Sequence, residues 1–135
     1  MISLFSTYTV HHVGIVVPSL EQVESFMETM GLVEDYRGYV EPWSCWCIFA
    51  KGGTGAVIEL VVADDGPLRR FNKGVGGVHH FALEVDDIRR VSNELTARGL
   101  TMLMPQPIKG AGSFLCNFIN PLSTRGIQIE LVQMI

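Results

Sequence analysis

Residues 11–32 read HHVGIVVPSLEQVESFMETMGL, residues 79–100 read HHFALEVDDIRRVSNELTARGL, and the two stretches align without a gap. His-His opens both and Gly-Leu closes both, while Val17 and Val23 coincide with Val85 and Val91. Further along, Ile58-Glu59-Leu60-Val61 recurs as Ile129-Glu130-Leu131-Val132. Two coincidences in the same order mark an internal duplication, and a duplication changes how every other residue is read.

Each copy opens on an apolar, β-branched run, Val10 to Val17 and Val78 to Val85, and then switches to helical spacing. Leu20, Val23, Phe26, Met27 and Met30 form one helix face, and Ile88, Val91 and Leu95 form its counterpart. Ser19 with Gln22 reads as an N-cap and capping box, Asp86 and Asp87 offer caps to the second helix, and Gly31 and Gly99 end the two. Strand-like segments follow: Trp43 to Ala50, a turn at Lys51 to Gly55, and Ala56 to Val62 in the first copy. In the second they are Phe114 to Ile119, a turn at Asn120 to Gly126, and Ile127 to Gln133. Each half reads βαβββ, so the chain is predicted to be an α+β protein of two tandem modules forming one curved, cup-shaped mixed sheet. The single domain covers 1–135, with module one over about 9–62, a Gly/Pro-bearing linker over 63–76, and module two over about 77–133.

Side chains alternate across a strand. His12 therefore shares a face with Val10, Gly14 and Val16, and His80 shares one with Ala82 and Glu84. These two are expected on the concave face, whereas His11 and His79 are expected under the helices as structural histidines. Glu59 and Glu130 each interrupt an otherwise aliphatic strand. A carboxylate there is costly to bury unless it is paired, hydrogen-bonded or bound to a cation. If the halves pack about a pseudo-two-fold axis, His12 and Glu59 face His80 and Glu130. Two imidazoles and two carboxylates around one point suit a divalent transition metal with positions left for water or substrate.

Composition narrows the partners. The 135 residues are 47% hydrophobic and 18% charged, with a net charge of −4, which argues against disorder and against nucleic acid as a ligand. Met1 to Thr9 lacks the pattern of a signal sequence, and no stretch approaches the roughly 20 apolar residues of a membrane span, so a cytoplasmic protein is expected. Three cysteines, Cys45, Cys47 and Cys116, suit a reducing compartment and read as small buried hydrophobes. Trp43, Trp46 and Phe49 give their segment an aromatic character that could line an apolar substrate pocket, with core packing as the first reading. The loop Pro105 to Gly112, with two prolines and two glycines, reads as a lid over the cup.

From about Val10 to Gln133 the chain resembles the vicinal oxygen chelate superfamily, whose members pair two βαβββ modules around a metal. The resemblance implies His12, Glu59, His80 and Glu130 as ligands of one divalent ion, Co, Ni, Zn, Mn or Fe. Ala56-Val57-Ile58-Glu59-Leu60 is similar to the same strand of bacterial glyoxalase I. The second half is more similar to methylmalonyl-CoA epimerases, through Gly77-Val78-His79-His80, Glu84-Val85-Asp86-Asp87-Ile88 and Asn120-Pro121-Leu122-Ser123-Thr124-Arg125-Gly126. What this implies is an isomerase that takes a proton from the carbon beside a metal-held carbonyl of an acyl thioester such as methylmalonyl-CoA, with Glu130 and Glu59 as the catalytic carboxylates. A glyoxalase-I-type lyase acting on a glutathione hemithioacetal, a non-haem iron dioxygenase and a non-catalytic binding protein are the alternatives within the superfamily. A homodimer is also implied. Some epimerases carry a second catalytic Glu on the strand before the turn, where this chain has Cys47 or Ile48.

Overall fold

The computed structural model describes residues 4, 5, 8–52 and 54–135. Parts of the leader reading over Met1 to Thr9 and of the turn Lys51 to Gly55 thus lie outside the described residues. The first copy of the repeat supplies β1 (Thr9–Val16), α1 (Leu20–Met30), β2 (Glu34–Val40), β3 (Cys45–Ala50) and β4 (Val57–Ala63). After a short helix, α2 (Gly66–Arg69), the second copy supplies β5 (Gly77–Glu84), α3 (Ile88–Ala97), β6 (Ile108–Lys109), β7 (Phe114–Phe118) and β8 (Ile129–Met134).

All eight strands join one sheet in the order β2-β3-β4-β1-β5-β8-β7-β6. Within each copy the first strand pairs parallel with the last, β1 with β4 and β5 with β8, and the copies meet through the antiparallel β1–β5 ladder. The sheet curls until its two edges touch. A side chain at Gly38 on β2 would overlap the Ala111 carbonyl, and one at Gly112 would press on the Tyr36 hydroxyl. The loop read as a lid therefore seals the seam between the edges, and its centre is the short strand β6.

The two faces divide the apolar residues as the periodicity requires. On the convex face Val23 and Met27 of α1 pack on Ile48, Leu60 and Val62, and Ile88, Val91 and Leu95 of α3 pack on Leu131 and Ile119. Each such aliphatic side chain, fully buried, contributes about 1.5–3 kcal/mol. Ser19 caps α1 by accepting from the Gln22 N–H at 3.1 Å, and Asp87 caps α3 by accepting from the Arg90 N–H at 3.1 Å. Gly31 closes α1 in the left-handed region at φ 69°. The concave face holds the other core, which includes Val16, Cys47, Phe49, Val61, Ala82, Phe114 and Val132.

One expectation fails in an informative way. His11 and His79 do not lie under the helices. Val10 opposes Leu83 and His12 opposes Ala82, which leaves His11 as an extra residue; Gly14 opposes His80 and Ile15 opposes Val78, which leaves His79 as another. Each is the inserted residue of a β-bulge, and a bulge breaks the strict alternation of side chains and re-aims them. Both extra histidines consequently meet concave-face residues, His11 the ring of Phe114 and His79 the rings of Phe71 and Phe118.

Candidate metal centre

The four polar residues singled out within apolar strands come together at the centre of the sheet. His12 and His80 sit on the two central strands, Glu59 on β4 beside Gly14, and Glu130 on β8 beside Ala82. They are 0%, 6%, 4% and 3% exposed for His12, His80, Glu59 and Glu130, which puts every one of them beyond bulk water. His12 Nε2 lies 2.8 Å from Glu130 Oε1 and 3.5 Å from Glu59 Oε1. His80 Nε2 lies 3.3 Å from each of those oxygens and 3.3 Å from His12 Nε2.

The spacing suits one cation. Donors held about 2.0–2.2 Å from a common divalent ion stand roughly 2.8–3.6 Å from each other, depending on the coordination angle. Moreover, Glu59 Oε1 and Glu130 Oε1 are both buried without a hydrogen bond of acceptable geometry among the described residues, even though imidazole nitrogens are close. Two orphaned carboxylate oxygens aimed at two imidazole nitrogens make a poor hydrogen-bond network and a good ligand set. His12, His80 and Glu130 form a possible metal-binding triad, and the Glu59 oxygen lies against both of its imidazoles.

Charge within the cluster follows from its isolation. Burial alone would lower the His80 imidazole, but its contacts with Glu130 and Glu59 outweigh this and raise it to about 9. Burial would likewise raise the Glu130 carboxyl, and the His12 and His80 rings overcome that to hold it well below the ordinary carboxylate range. His79 moves the other way, lowered to about 4 by burial and then by its neighbour His80. Burial and then His12 lower His11 in the same direction.

A duplicated surround holds the cluster. The His12 ring meets Phe49 edge-on at 5.5 Å, and the His80 ring meets Phe118 edge-on at 5.0 Å. Phe49 opposes Glu59 across β3 and β4 just as Phe118 opposes Glu130 across β7 and β8, so the two phenylalanines are equivalent by the repeat. The sequence carries a trace of this in Cys47-Ile48-Phe49 and Cys116-Asn117-Phe118, a pattern too short to read alone. Gly14 is required by the same geometry, because a Cβ there would overlap the imidazole of His80.

On one side the cluster floors a cavity of about 620 Å³, whose walls include Trp43, Cys47, Leu68, Phe71 and Phe118, with His79 and His80 at its base. The segment read as a linker thus contributes wall residues. Trp43 belongs to a short turn over Glu41–Trp43 and lines the same cavity while also packing on the concave-face core, and its indole N–H is buried without an acceptor among the described residues. Trp46 packs instead at the convex face. Of the two residues that stand where some epimerases carry a second catalytic Glu, Cys47 faces the cavity while Ile48 is fully buried beneath α1. The Cys47 thiol is pushed far up by Cys45 and by burial, so it keeps its proton. Among the described residues no lysine or arginine lines the cavity, and Arg69, next to the wall residue Leu68, donates instead to the Pro18 carbonyl.

Two βαβββ modules folded into one curved sheet around buried nitrogen and oxygen donors define the vicinal oxygen chelate class. The family model of the glyoxalase/bleomycin resistance protein/dioxygenase superfamily matches residues 11–118, and the chain belongs to that superfamily. It is 32% identical over 125 residues to the mitochondrial methylmalonyl-CoA epimerase of Dictyostelium discoideum, covering 90% of this chain and 75% of the relative. The crystal structure of methylmalonyl-CoA epimerase from Mycobacterium tuberculosis superposes with a TM-score of 0.85 at 23% identity, covering 94% of this chain and 88% of that one. A methylmalonyl-CoA epimerase in complex with methylmalonyl-CoA and NH4+ superposes with a TM-score of 0.83 at 22% identity over 96% of both chains. Among the described residues no helix is long and apolar enough to cross a membrane.

Proposed function

We propose that this protein is a divalent-metal-dependent epimerase of a short acyl-CoA thioester, methylmalonyl-CoA or a close analogue, with His12, Glu59, His80 and Glu130 holding the ion. The observation that carries the reading is the pair of orphaned carboxylate oxygens facing two imidazole nitrogens at the floor of a largely apolar cavity. The similarity to named epimerases over 90% of the chain supports the substrate class.

A divalent cation bound there would supply Lewis-acid withdrawal of charge from a carbonyl oxygen. The remaining work falls to the chain. A thioester's α carbon releases its proton to a carboxylate oxygen at the cavity floor, the C–H bond breaking as an O–H bond forms and the electron pair passing into the enolate. Glu59 and Glu130 come from opposite halves of the repeat, so for a carbon seated between them one serves as the carboxylate that takes the proton and the other, entering as the carboxylic acid, gives up its own. Return of a proton to the opposite face inverts the centre. Cys47 is not the base in this exchange, since its thiol stays protonated. The apolar walls keep water from the enolate, and the unpartnered indole N–H of Trp43 offers one donor to an acyl oxygen.

The test is solvent exchange. Protein loaded with Co, Mn, Ni or Zn and given methylmalonyl-CoA in deuterated water should place deuterium at the α carbon and scramble its configuration without consuming oxygen. Absence of exchange with every metal, or oxygen uptake in its place, overturns the reading.

A further inference from the structure

We propose that His11 and His79 are positioning residues that fix the tautomer of the two metal-binding imidazoles, so that metal capture depends on a pair of adjacent His-His hydrogen bonds. This rests on the metal reading above and adds to it a role for two residues that line no ligand position. His11 Nδ1 lies 2.8 Å from His12 Nδ1, and His79 Nδ1 lies 2.8 Å from His80 Nδ1. Two ring nitrogens at that distance must share one proton, because two lone pairs or two N–H groups would repel.

Which nitrogen carries that proton follows from the other end of each ring. A neutral imidazole has a single N–H, and the Nε2 atoms of His12 and His80 are the ones that converge with the carboxylates. To offer Nε2 to a cation, each ligand ring must hold its proton on Nδ1 and donate it. His11 and His79 then accept at Nδ1 and carry their own proton on Nε2. Metal-binding histidines usually donate to a carboxylate, a carbonyl or water. Here the acceptor in both halves is the preceding residue, which a regular strand would send to the opposite face.

The bulges make that contact possible. Each inserts its histidine as an unpaired residue on the concave side, and the two occur at matching positions of the repeat. Each forgoes ladder pairing in the centre of the sheet, and an apolar side chain would fill the space beside Phe114 or Phe118 equally well. The repeated Nδ1 contact is what distinguishes an imidazole there.

The experiment measures cobalt(II) and zinc(II) affinity by chelator competition on wild type, His11→Phe, His79→Phe, His11→Asn and His79→Asn, with the cobalt absorption spectrum of each. The Phe variants should lose about 10–100-fold in affinity and show altered cobalt bands. The Asn variants, which keep a side-chain acceptor close to the backbone, should recover most of it. Equal affinity and identical spectra across all five overturn this inference and leave the metal reading standing. A wild type that binds neither ion removes the metal reading and this one with it. Should the Phe variants fail to fold, long-range proton–nitrogen spectra of the zinc-loaded wild type decide the matter. Protons on Nδ1 of His12 and His80 and on Nε2 of His11 and His79 support it, and any other pattern overturns it.

Discussion

Without metal, this protein should be most stable near pH 6.5 and should lose stability as the solution becomes alkaline. His80 rises from an ordinary 6.5 to about 9 because two buried carboxylates face it. A group raised on folding contributes stability that is fully present below its unfolded value and disappears as pH climbs through the folded one, here between 6.5 and about 9. That interval corresponds to about 3 kcal/mol, or a fall in melting temperature on the order of 10 °C for a domain of this size. On the acid side, His79 is lowered to about 4 and Glu130 lies below its ordinary range, so the folded state holds fewer protons than the unfolded chain and stability drops as pH falls. Melting temperatures read from pH 5 to 9.5 in the presence of a chelator should therefore trace a peak. Saturating zinc should flatten the alkaline arm, since an occupied Nε2 has no proton to lose, and His80→Gln should flatten it in the chelated protein. A level profile from 6.5 to 9 in chelated wild type would mean that His80 is not held charged by Glu59 and Glu130.

Further tests address single contacts. Gly14→Ala drives a methyl group into the His80 ring and should cost about 1–3 kcal/mol in denaturant unfolding while lowering zinc affinity, because the displaced ring is a proposed ligand. Cys47→Ala should leave α-proton exchange within a few-fold of wild type, since a thiol that keeps its proton is no base; a loss of 100-fold would make Cys47 a reacting group and refute this. Glu59→Gln and Glu130→Gln, loaded with saturating metal, should separate the two proton transfers. A variant that still washes deuterium into one epimer but no longer inverts it has lost only the returning acid.

What could be read from the sequence was whatever broke a pattern. His12, Glu59, His80 and Glu130 stood out because charged or polar side chains interrupted β-branched strands, and the repeat tied them together. Strands β2 and β6 did not stand out, for opposite reasons. Glu34–Val40 is a charged edge strand whose outward residues Asp35, Arg37 and Tyr39 look like loop, which is how edge strands avoid unwanted pairing. Ile108–Lys109 is simply too short for a period to show. His11 and His79 were misplaced because alternation assumes an unbroken ladder, and no glycine marks either bulge. The cavity walls at Trp43, Leu68 and Phe71 come from a turn and from the segment around α2, which carry no period.

The remaining question is why, among the described residues, the 620 Å³ cavity lies on one side of a duplicated cup. By strand register Cys45, opposite Ala63, is the counterpart of Phe114, opposite Met134. Cys47 and Cys116 match in the same way, as do Phe49 and Phe118, so the ring of residues nearest the donors is nearly symmetric. The break comes one step further out. Phe114 is 2% exposed and fills its side with His11 and Phe49, while Tyr36 stacks on Phe49 at 4.7 Å beneath the sealed seam. Cys45 is small and leaves its side to the 620 Å³ cavity. Symmetry thus builds the proposed cation site, and we infer that the residue at this repeated position sets the side from which a substrate would enter. Cys45→Phe should close the cavity, abolishing exchange on an acyl-CoA while leaving zinc affinity within a few-fold. Phe114→Ala should cost about 3–5 kcal/mol in unfolding as it opens a void on the other side. If Cys45→Phe kept full activity, the substrate would have to reach the donors by another route, and the assignment of the open side would be wrong.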